Sequence, residues 1–451
     1  MKILLLISLL LCLPIFALAQ AAPRKLFPYN YAMDDLPNGL RLITVPTDYP
    51  NLVAIYIVVS TGSRNEIEAG KSGYAHLFEH LMFRGSENFS AEQRGQILKR
   101  AGANDNAYTT DDRTVYHEVI SKEDLDQVMK LEADRFQRLK YPQDAYKTET
   151  KAVLGEFNKN SADPEEKLYE VLRATAFKKH TYTHTTMGFI EDIEDMPNQY
   201  DYSWDFYKRY YRPEYTTLVV VGDVKREQAL GMAQKYFGDW KRGDYTPQIP
   251  IEPEQTEART THVDWPSQTL PILYVAFHSP AYSDENKDKA ALDLLAPVAF
   301  GENSDLYQQL VLKEQKVESL DYTFGNHKDP ELFIISARVK DEKDIAHVQE
   351  QILAAFKRFT TELVPKAKLD STRSRLRYRF ALSLNSSEAI AAALAQYVAL
   401  RRTPETINKL YDIYDQVTPE EIRAAAAKYF VENHRTIATL TTKAGSKEGG
   451  R

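Results

Sequence analysis

The amino-acid sequence predicts an α+β protein made of two homologous α/β domains related by internal duplication, each with a mixed sheet packed against helices. Strand-like runs alternate with long amphipathic helices along the first half of the chain. A stretch rich in Pro, Glu, Thr and Asp at 243–257 breaks this pattern, after which a similar order of strands and helices begins again. The length of 451 residues also exceeds what one hydrophobic core usually fills.

The first 19 residues have the pattern of a secretory signal peptide. Lys2 gives a positive start, Ile3–Phe16 is an apolar run short for a membrane span, and Ala17-Leu18-Ala19 is a small-x-small cleavage site before Gln20. An uncleaved N-terminal anchor is the alternative interpretation. We expect an exported mature protein, periplasmic or secreted. It would lack Cys12, the one cysteine of the chain, and so could not use cysteine catalysis.

Periodicity predicts the elements of the first domain in order. Two strands come first, Gly39–Val45 after an Asn38-Gly39 turn, and Leu52–Ser60. Three segments with helical spacing of apolar residues follow, and a buried-strand run comes near the end of the domain: Ser72–Met82, Ala91–Ala101, Lys122–Leu139 and Thr217–Val221.

The second domain repeats this order at a nearly constant distance. A strand at Leu273–Phe277 and a helix ending at Gly301 match a strand and a helix ending at Gly85, 216 residues earlier. Tyr429 likewise follows Tyr210 by 219 residues. A chance echo between two generic α/β domains is the alternative. We predict a domain at 20–242, a linker at 243–257 and a second domain at 258–451.

The pentapeptide His76-Leu77-Phe78-Glu79-His80 is the most informative motif. Two histidines four apart on a helix lie on one face and can reach one ion. Glu79 can lean over that ion without binding it, which is the metal-and-base set of a zinc peptidase in inverted order. A solvated helix face with two incidental histidines is the alternative. The aligned positions of the second domain are apolar: Leu292, Leu295 and Ala296.

A third protein ligand is expected because tetrahedral catalytic zinc takes three protein ligands and keeps one position open. The segment Thr148–Asn158 is a candidate, since Glu149 and Glu156 are seven residues apart and share a helix face. An ordinary solvated helix face is again the alternative.

With these motifs the chain resembles the pitrilysin/insulinase family of zinc metallopeptidases over nearly its whole mature length. Within that family it resembles the bacterial exported, processing-peptidase-like subfamily. The family keeps a ligand glutamate some seventy-odd residues after its His-x-x-Glu-His motif, and Glu156 follows His80 by 76 residues. Glu149 stands where the family has a second acidic residue. Further matches are Asn106-Ala107-Tyr108-Thr109, Leu131-Glu132-Ala133-Asp134-Arg135, His180-x-Tyr182 with Gly188, and Tyr210-Tyr211-x-Pro213.

The resemblance implies a clam-shell of two domains and a role for each motif residue. His76, His80 and Glu156 would hold Zn²⁺, and Glu79 would be the general base. Glu149 would orient or tune one of the ligands, its alternative being a surface carboxylate. Manganese or cobalt could also occupy such a site, because two histidines and a glutamate do not select zinc outright.

The resemblance also implies a substrate edge at Asn106, Ala107 and Tyr108, where a peptide would bind by strand addition with the Asn106 amide clamping its backbone. A plain turn followed by a strand is the alternative. His180 and Tyr182 receive no chemical role.

The match breaks in the second domain. Self-sufficient family members supply an arginine and a tyrosine there, at positions where this chain has Val311 and Glu318; Lys313 and Tyr322 lie nearby. We therefore predict the zinc-bearing subunit of a dimer, with a metal-free homologue or a second copy as partner. The alternatives are a non-catalytic assembly subunit of the same fold and a maturation factor for one dedicated peptide. A net charge of −7 without a basic stripe argues against nucleic acid.

Overall fold

The computed structural model describes residues 25–443, so the predicted signal peptide and its cleavage site lie outside the described residues. Eleven strands of this part of the chain form two sheets. The first has the order β1-β2-β6-β3-β5-β4 and the second the order β7-β11-β8-β10-β9. Their bounds are β1 Ala32–Asp35, β2 Arg41–Pro46, β3 Leu52–Val59, β4 Asn104–Thr109, β5 Thr114–Ser121, β6 Thr216–Gly222, β7 Arg259–Trp265, β8 Ile272–His278, β9 Val317–Thr323, β10 Leu332–Val339 and β11 Arg435–Thr442.

The two sheets repeat one pairing pattern. In the first, β2 and β6 are parallel, whereas β6, β3, β5 and β4 pair antiparallel in succession. In the second, β7 and β11 are parallel, and β11, β8, β10 and β9 pair antiparallel in succession. The predicted duplication of an α/β unit with a mixed sheet is therefore confirmed, while the exact domain limits stay a prediction. Residues 241–256 form neither helix nor strand.

Fifteen helices surround the sheets within the described residues. They are α1 Tyr74–Leu81, α2 Ala91–Arg100, α3 Leu125–Gln137, α4 Gln143–Asn160, α5 Pro164–Ala176, α6 Ile190–Asp195, α7 Tyr200–Tyr210, α8 Arg226–Phe237, α9 Asp288–Ala299, α10 Asp305–Tyr307, α11 Ile345–Thr361, α12 Lys366–Ser383, α13 Ser387–Arg401, α14 Glu405–Gln416 and α15 Pro419–Tyr429. The segment predicted helical at Lys122–Leu139 begins with a 3₁₀ turn, Lys122–Asp124, before α3. None of these helices combines the length and the apolar character needed to cross a membrane.

One face of each sheet is covered by helices of its own half. Helices α1, α3, α4, α7 and α8 bury apolar side chains against the first sheet. Helices α9, α11 and α15 do the same on the second. The central strand β3 is buried along seven of its eight residues because helices cover both faces of the sheet.

The opposite faces are covered by exchange between the halves. Helix α5 of the first half places Leu168 and Leu172 on the second sheet. Helix α13 of the second half packs Ile390 and Leu394 into a core that includes Ala54 and Val219 of the first sheet. Each helix begins four residues after an 18-residue helix ends, so α5 and α13 are equivalent in the duplication.

Candidate metal centre

The helix that carries the pentapeptide has a fixed start. Gly73 precedes α1 with a φ of +86°, a conformation that suits glycine. The backbone N–H groups of Gly73 and Ala75 donate to the two carboxylate oxygens of buried Glu66, at 2.8 and 2.7 Å. An anchored carboxylate at this end satisfies two otherwise free N–H groups and favours the helix dipole. The orientation of α1 is therefore set before its histidines begin.

Helices α1 and α4 bring the predicted metal-binding residues together. The rings of His76 and His80 meet edge to face with centroids 4.9 Å apart. One Glu156 oxygen, Oε2, lies 3.6 Å from Nε2 of each histidine. One potential ligand atom from each of the three residues lies within 4.8 Å of the others.

This donor set fits zinc. Bonds of about 2.0–2.1 Å at tetrahedral angles place ligand atoms roughly 3.3 Å apart, close to the 3.6 Å between the Glu156 oxygen and each histidine nitrogen. Two imidazoles and one carboxylate are also a ligand set that catalytic zinc uses. Burial lowers the pKa of His76 to about 4, so its ring is neutral and can bind a metal near pH 7.

Glu149 lies behind His80, on the side away from Glu156. Its Oε2 is 3.4 Å from His80 Nδ1, and its Oε1 forms an ion pair with Arg84. Glu149 is only 2% exposed, so it is not the surface carboxylate of the alternative interpretation. The carboxylate of Glu149 raises the pKa of His80 by hydrogen bonding, against the opposing effect of burial.

Glu79 projects from α1 towards β4. Its Oε2 accepts a hydrogen bond of 2.7 Å from the hydroxyl of Thr109, the last residue of β4. Burial raises the pKa of Glu79, an effect that the Thr109 bond opposes. The carboxylate therefore has one oxygen engaged and stands beside the metal-binding residues.

The predicted substrate residues lie on an edge strand. Asn106, Ala107 and Tyr108 are inside β4, which pairs only with β5 in its sheet. Asn106 is exposed, Tyr108 half-buried and Ala107 buried. Here Asn106 Oδ1 accepts the N–H of Ala107 at 2.9 Å, which leaves its side-chain NH₂ group as a donor. Unpaired backbone groups on such an edge can add a further strand.

A cavity of about 450 Å³ opens beside His76, Glu79 and Glu156. Its lining comes from the first half of the chain, between residues 76 and 187. Neither Lys313 nor Tyr322 lines it: Lys313 is exposed, and Tyr322 lies on β9 near Arg375 and Arg379.

The two positions at which the family match breaks also lie elsewhere. Val311 packs against the apolar cluster that includes side chains of the second sheet. Glu318 pairs with Arg338 at 3.2 Å. Up to residue 443, where the described part of the chain ends, the second half therefore contributes no arginine or tyrosine to this cavity.

Sequence reasoning missed three residues that support the site. Glu66 caps α1 from seven residues before Gly73, beyond the spacing of a capping box, so no local signal marks it. Arg84 directly precedes Gly85 of the recognised helix end, but its pairing with Glu149 depends on how α4 packs. Thr109 belongs to the matched stretch Asn106–Thr109 and could have been singled out as a hydrogen-bonding neighbour.

Comparison with known proteins agrees with this architecture. Residues 42–189 match the family model described as Insulinase (Peptidase family M16), and residues 199–376 match the one described as Peptidase M16 inactive domain. The zinc protease PqqE of Helicobacter pylori is 28% identical over 412 residues, covering 90% of this chain and 91% of that protein. The mitochondrial-processing peptidase subunit beta of Caenorhabditis elegans is 28% identical over 286 residues, 63% of this chain and 60% of that protein.

A solved structure extends the match to three dimensions. The crystal structure of a protease from Helicobacter pylori has a TM-score of 0.85 and 27% identity to this chain, covering 92% of this chain and 99% of that one. The predicted clam-shell of two duplicated α+β domains is thereby confirmed. From both family models and the shared fold, this chain belongs to the M16, or insulinase, family of peptidases.

Proposed function

We propose that this chain is a zinc-dependent peptidase that hydrolyses peptide bonds of small proteins or oligopeptides. The observation that carries the proposal is the convergence of His76, His80 and Glu156 from two helices, with Glu79 beside them. The similarity to a protein named as a zinc protease supports the choice of metal.

Each residue near the cavity has a distinct task in this reaction. Zinc held by His76, His80 and Glu156 would polarise the scissile carbonyl and acidify a water molecule. Glu79 takes the proton of the attacking water and returns it to the leaving amine. Its raised pKa suits this double use, because burial makes the carboxylate a stronger base than an ordinary glutamate. Thr109 holds one oxygen of Glu79, so the other oxygen receives the proton.

Glu149 acts on the metal site through His80. By accepting from Nδ1, it fixes the tautomer whose Nε2 lone pair points towards Glu156 and the metal. The ion pair with Arg84 offsets the cost of burying the Glu149 carboxylate.

Substrate binds along β4 as an additional strand. The exposed edge at Asn106, Ala107 and Tyr108 supplies backbone groups, and the Asn106 side chain donates to the peptide. Because main-chain pairing carries little sequence information, selectivity comes from the cavity beside Glu79 and from access to it.

The decisive experiment is the Glu79→Gln variant, assayed on a quenched fluorescent peptide. We expect the variant to retain one zinc per chain and to lose activity by roughly a hundredfold to ten-thousandfold, as for other general bases. Glu87→Gln, at an exposed glutamate just after α1, is the matched control and should resemble wild type. An undiminished rate in Glu79→Gln would overturn the role of Glu79 as general base, whereas wild type that hydrolyses no peptide would leave a non-catalytic subunit of the same fold.

The working form is proposed to be a dimer in which this chain bears the zinc. Among the residues that the structure describes, the second half gives this cavity no arginine or tyrosine. A partner subunit, either a metal-free homologue or a second copy, would supply them. Lost transition-state donors can cost about a hundredfold in rate or more. We expect the purified chain alone to be slow if it is monomeric, as judged by sedimentation and peptide assay together. Full activity of a monomer would refute the dimer.

The signal-peptide pattern of the first 19 residues supports export. Cleavage after Ala19 would leave Gln20 as the first residue of the mature protein. N-terminal sequencing of the protein from the periplasm or medium tests this assignment, and a retained Met1 would contradict it.

A further inference from the structure

The motif residues His180 and Tyr182 lie where the two halves meet. His180 Nδ1 accepts the backbone N–H of Tyr182 at 3.0 Å, which places the ring proton on Nε2. That nitrogen donates to Asp329 of the second half at 2.9 Å. The Tyr182 hydroxyl donates to Asp112 at 2.8 Å. Both motif residues are buried and connect a second-half carboxylate with a first-half one.

Asp112 belongs to the β4–β5 turn, residues 110–113. Opposite it lies the clamp loop, residues 324–331, which joins β9 and β10. The backbone N–H of Lys328 donates to Asp112 Oδ2 at 3.0 Å, and His327 Nδ1 lies 3.6 Å from the same oxygen. Burial alone would raise the pKa of Asp112, but the neighbouring imidazole of His327 holds that pKa below its usual value. Much of what stabilises this buried charge therefore comes from the other half of the molecule.

The clamp loop is anchored by Asp329. Besides His180, the guanidinium of Arg64 pairs with Asp329 Oδ2 at 2.5 Å. Together these contacts lower the pKa of Asp329, although burial acts in the opposite direction. Removing the Asp329 charge would leave the clamp loop without both of these charged contacts to the first half.

The turn leads directly into the proposed active site. Thr109 comes immediately before it and donates to Glu79, and β4 itself is the proposed substrate strand. A shift of the turn would therefore move β4, the proposed substrate strand, together with Thr109, which donates to the proposed general base Glu79.

We propose that the second half positions the reaction: its clamp loop, through His327, Lys328 and Asp329, holds the β4–β5 turn and so fixes β4 and Glu79. This inference rests on the proposed peptidase function. It assigns the metal-free half a positioning role within the same chain. It also assigns the His180-x-Tyr182 motif a role, since these two residues contact the clamp loop and the turn that the loop holds.

The test is the Asp329→Asn variant of the full, zinc-loaded chain. We expect hydrogen exchange of the β4 and turn amides, residues 104–113, to accelerate about tenfold or more, while α8 is unchanged. We also expect kcat/KM to fall about tenfold or more, with kcat reduced through Glu79 and KM raised through β4. The zinc content should stay at that of wild type.

Asp305→Asn is the matched control, since Asp305 pairs with Arg358 on the surface of the same half at 2.9 Å. It should leave both readouts unchanged. Should Asp329→Asn fail to fold, His327→Gln removes the ring from Asp112 and is expected to accelerate the same amides. If a folded variant had the wild-type exchange rates at residues 104–113 and the wild-type kcat/KM, the proposal that the clamp loop holds the turn would be wrong. The exchange readout is also independent of hydrolysis. A wild-type dimer without peptidase activity would refute the proposed function, while exchange at residues 104–113 would still show whether the clamp loop holds the turn.

Discussion

Glu149 and Arg84 form an ion pair directly behind the proposed metal ligand His80, with Glu149 buried and Arg84 exposed. Glu149 fixes His80, and Arg84 holds Glu149. We expect Glu149→Gln to weaken zinc binding about 10- to 100-fold, since partners of metal-binding histidines usually contribute this much. Arg84→Gln should also weaken zinc binding, because it removes the ion pair that holds Glu149. Chelator competition measures both, with Arg100→Gln at an exposed position of α2 as control. Equal zinc affinity in all four proteins would mean that Glu149 is a structural residue only.

His184 makes the stability of the fold depend on pH. It is buried, and one ring nitrogen, Nδ1, donates to the Thr185 carbonyl at 2.9 Å. Burial lowers its pKa to about 4, against about 6.5 in an unfolded chain. Between these values the unfolded chain binds a proton that the folded chain does not, so His184 makes stability fall as pH drops below about 6.5.

We therefore expect His184→Gln to reduce the acid sensitivity of the metal-free protein. Between pH 7 and pH 5, wild type should lose about 2 kcal/mol more free energy of unfolding than the variant, measured by urea titration. His262→Gln, at a half-exposed histidine of β7, should lose as much as wild type. Parallel losses in wild type and His184→Gln would contradict the prediction.

At the scale of elements, α1 depends on a glycine that no other residue can replace without strain. A Cβ on Gly73 would lie 2.7 Å from the Met187 carbonyl oxygen, and the φ of +86° is unfavourable for alanine. Gly73→Ala should lower the free energy of unfolding by about 2 kcal/mol or more. Gly95→Ala in α2, where a Cβ meets nothing within 4 Å, should raise it by about 0.5–1 kcal/mol. Thermal unfolding of both variants measures these changes. A change of the same sign in the free energy of unfolding of both variants would contradict the prediction.

Elements with a contiguous apolar pattern were predictable from the sequence. Helix α1 and strands β3 and β6 fall where periodicity places them, because one local pattern decides each. The convergence of His76, His80 and Glu156 was also expected, but through family resemblance, since spacing alone cannot bring α4 to α1. An amphipathic pattern shows that a helix has an apolar face, but it does not show which sheet that face packs against. Nothing in Leu168 or Leu172 indicates that α5 covers the second sheet. The contact of Asp112 with Lys328 spans 216 residues and has no local signal.

For the whole molecule, the exchange of α5 and α13 makes the two halves one folding unit. Leu394 of α13 is fully buried in a core with residues of both sheets. We expect Leu394→Ala to cost about 2–5 kcal/mol and to lower the protection of β3 and β8 together in hydrogen exchange. Leu382→Ala, at a side chain 73% exposed on α12, should have little effect. Loss of protection confined to the second sheet would show that the halves unfold separately.

The reciprocal exchange of helices also has an evolutionary consequence. A gene encoding a single unit would have made a protein with one bare sheet face, and the simplest cover for it is the same helix from a sister molecule. A homodimer of such units would bury both faces by exchanging this helix, and fusion of two copies of its gene would give the arrangement of this chain. Cleavage within 243–257 would on this view recreate such a two-subunit state. The two fragments would remain associated because α5 of one covers the sheet of the other, and α13 does the reverse.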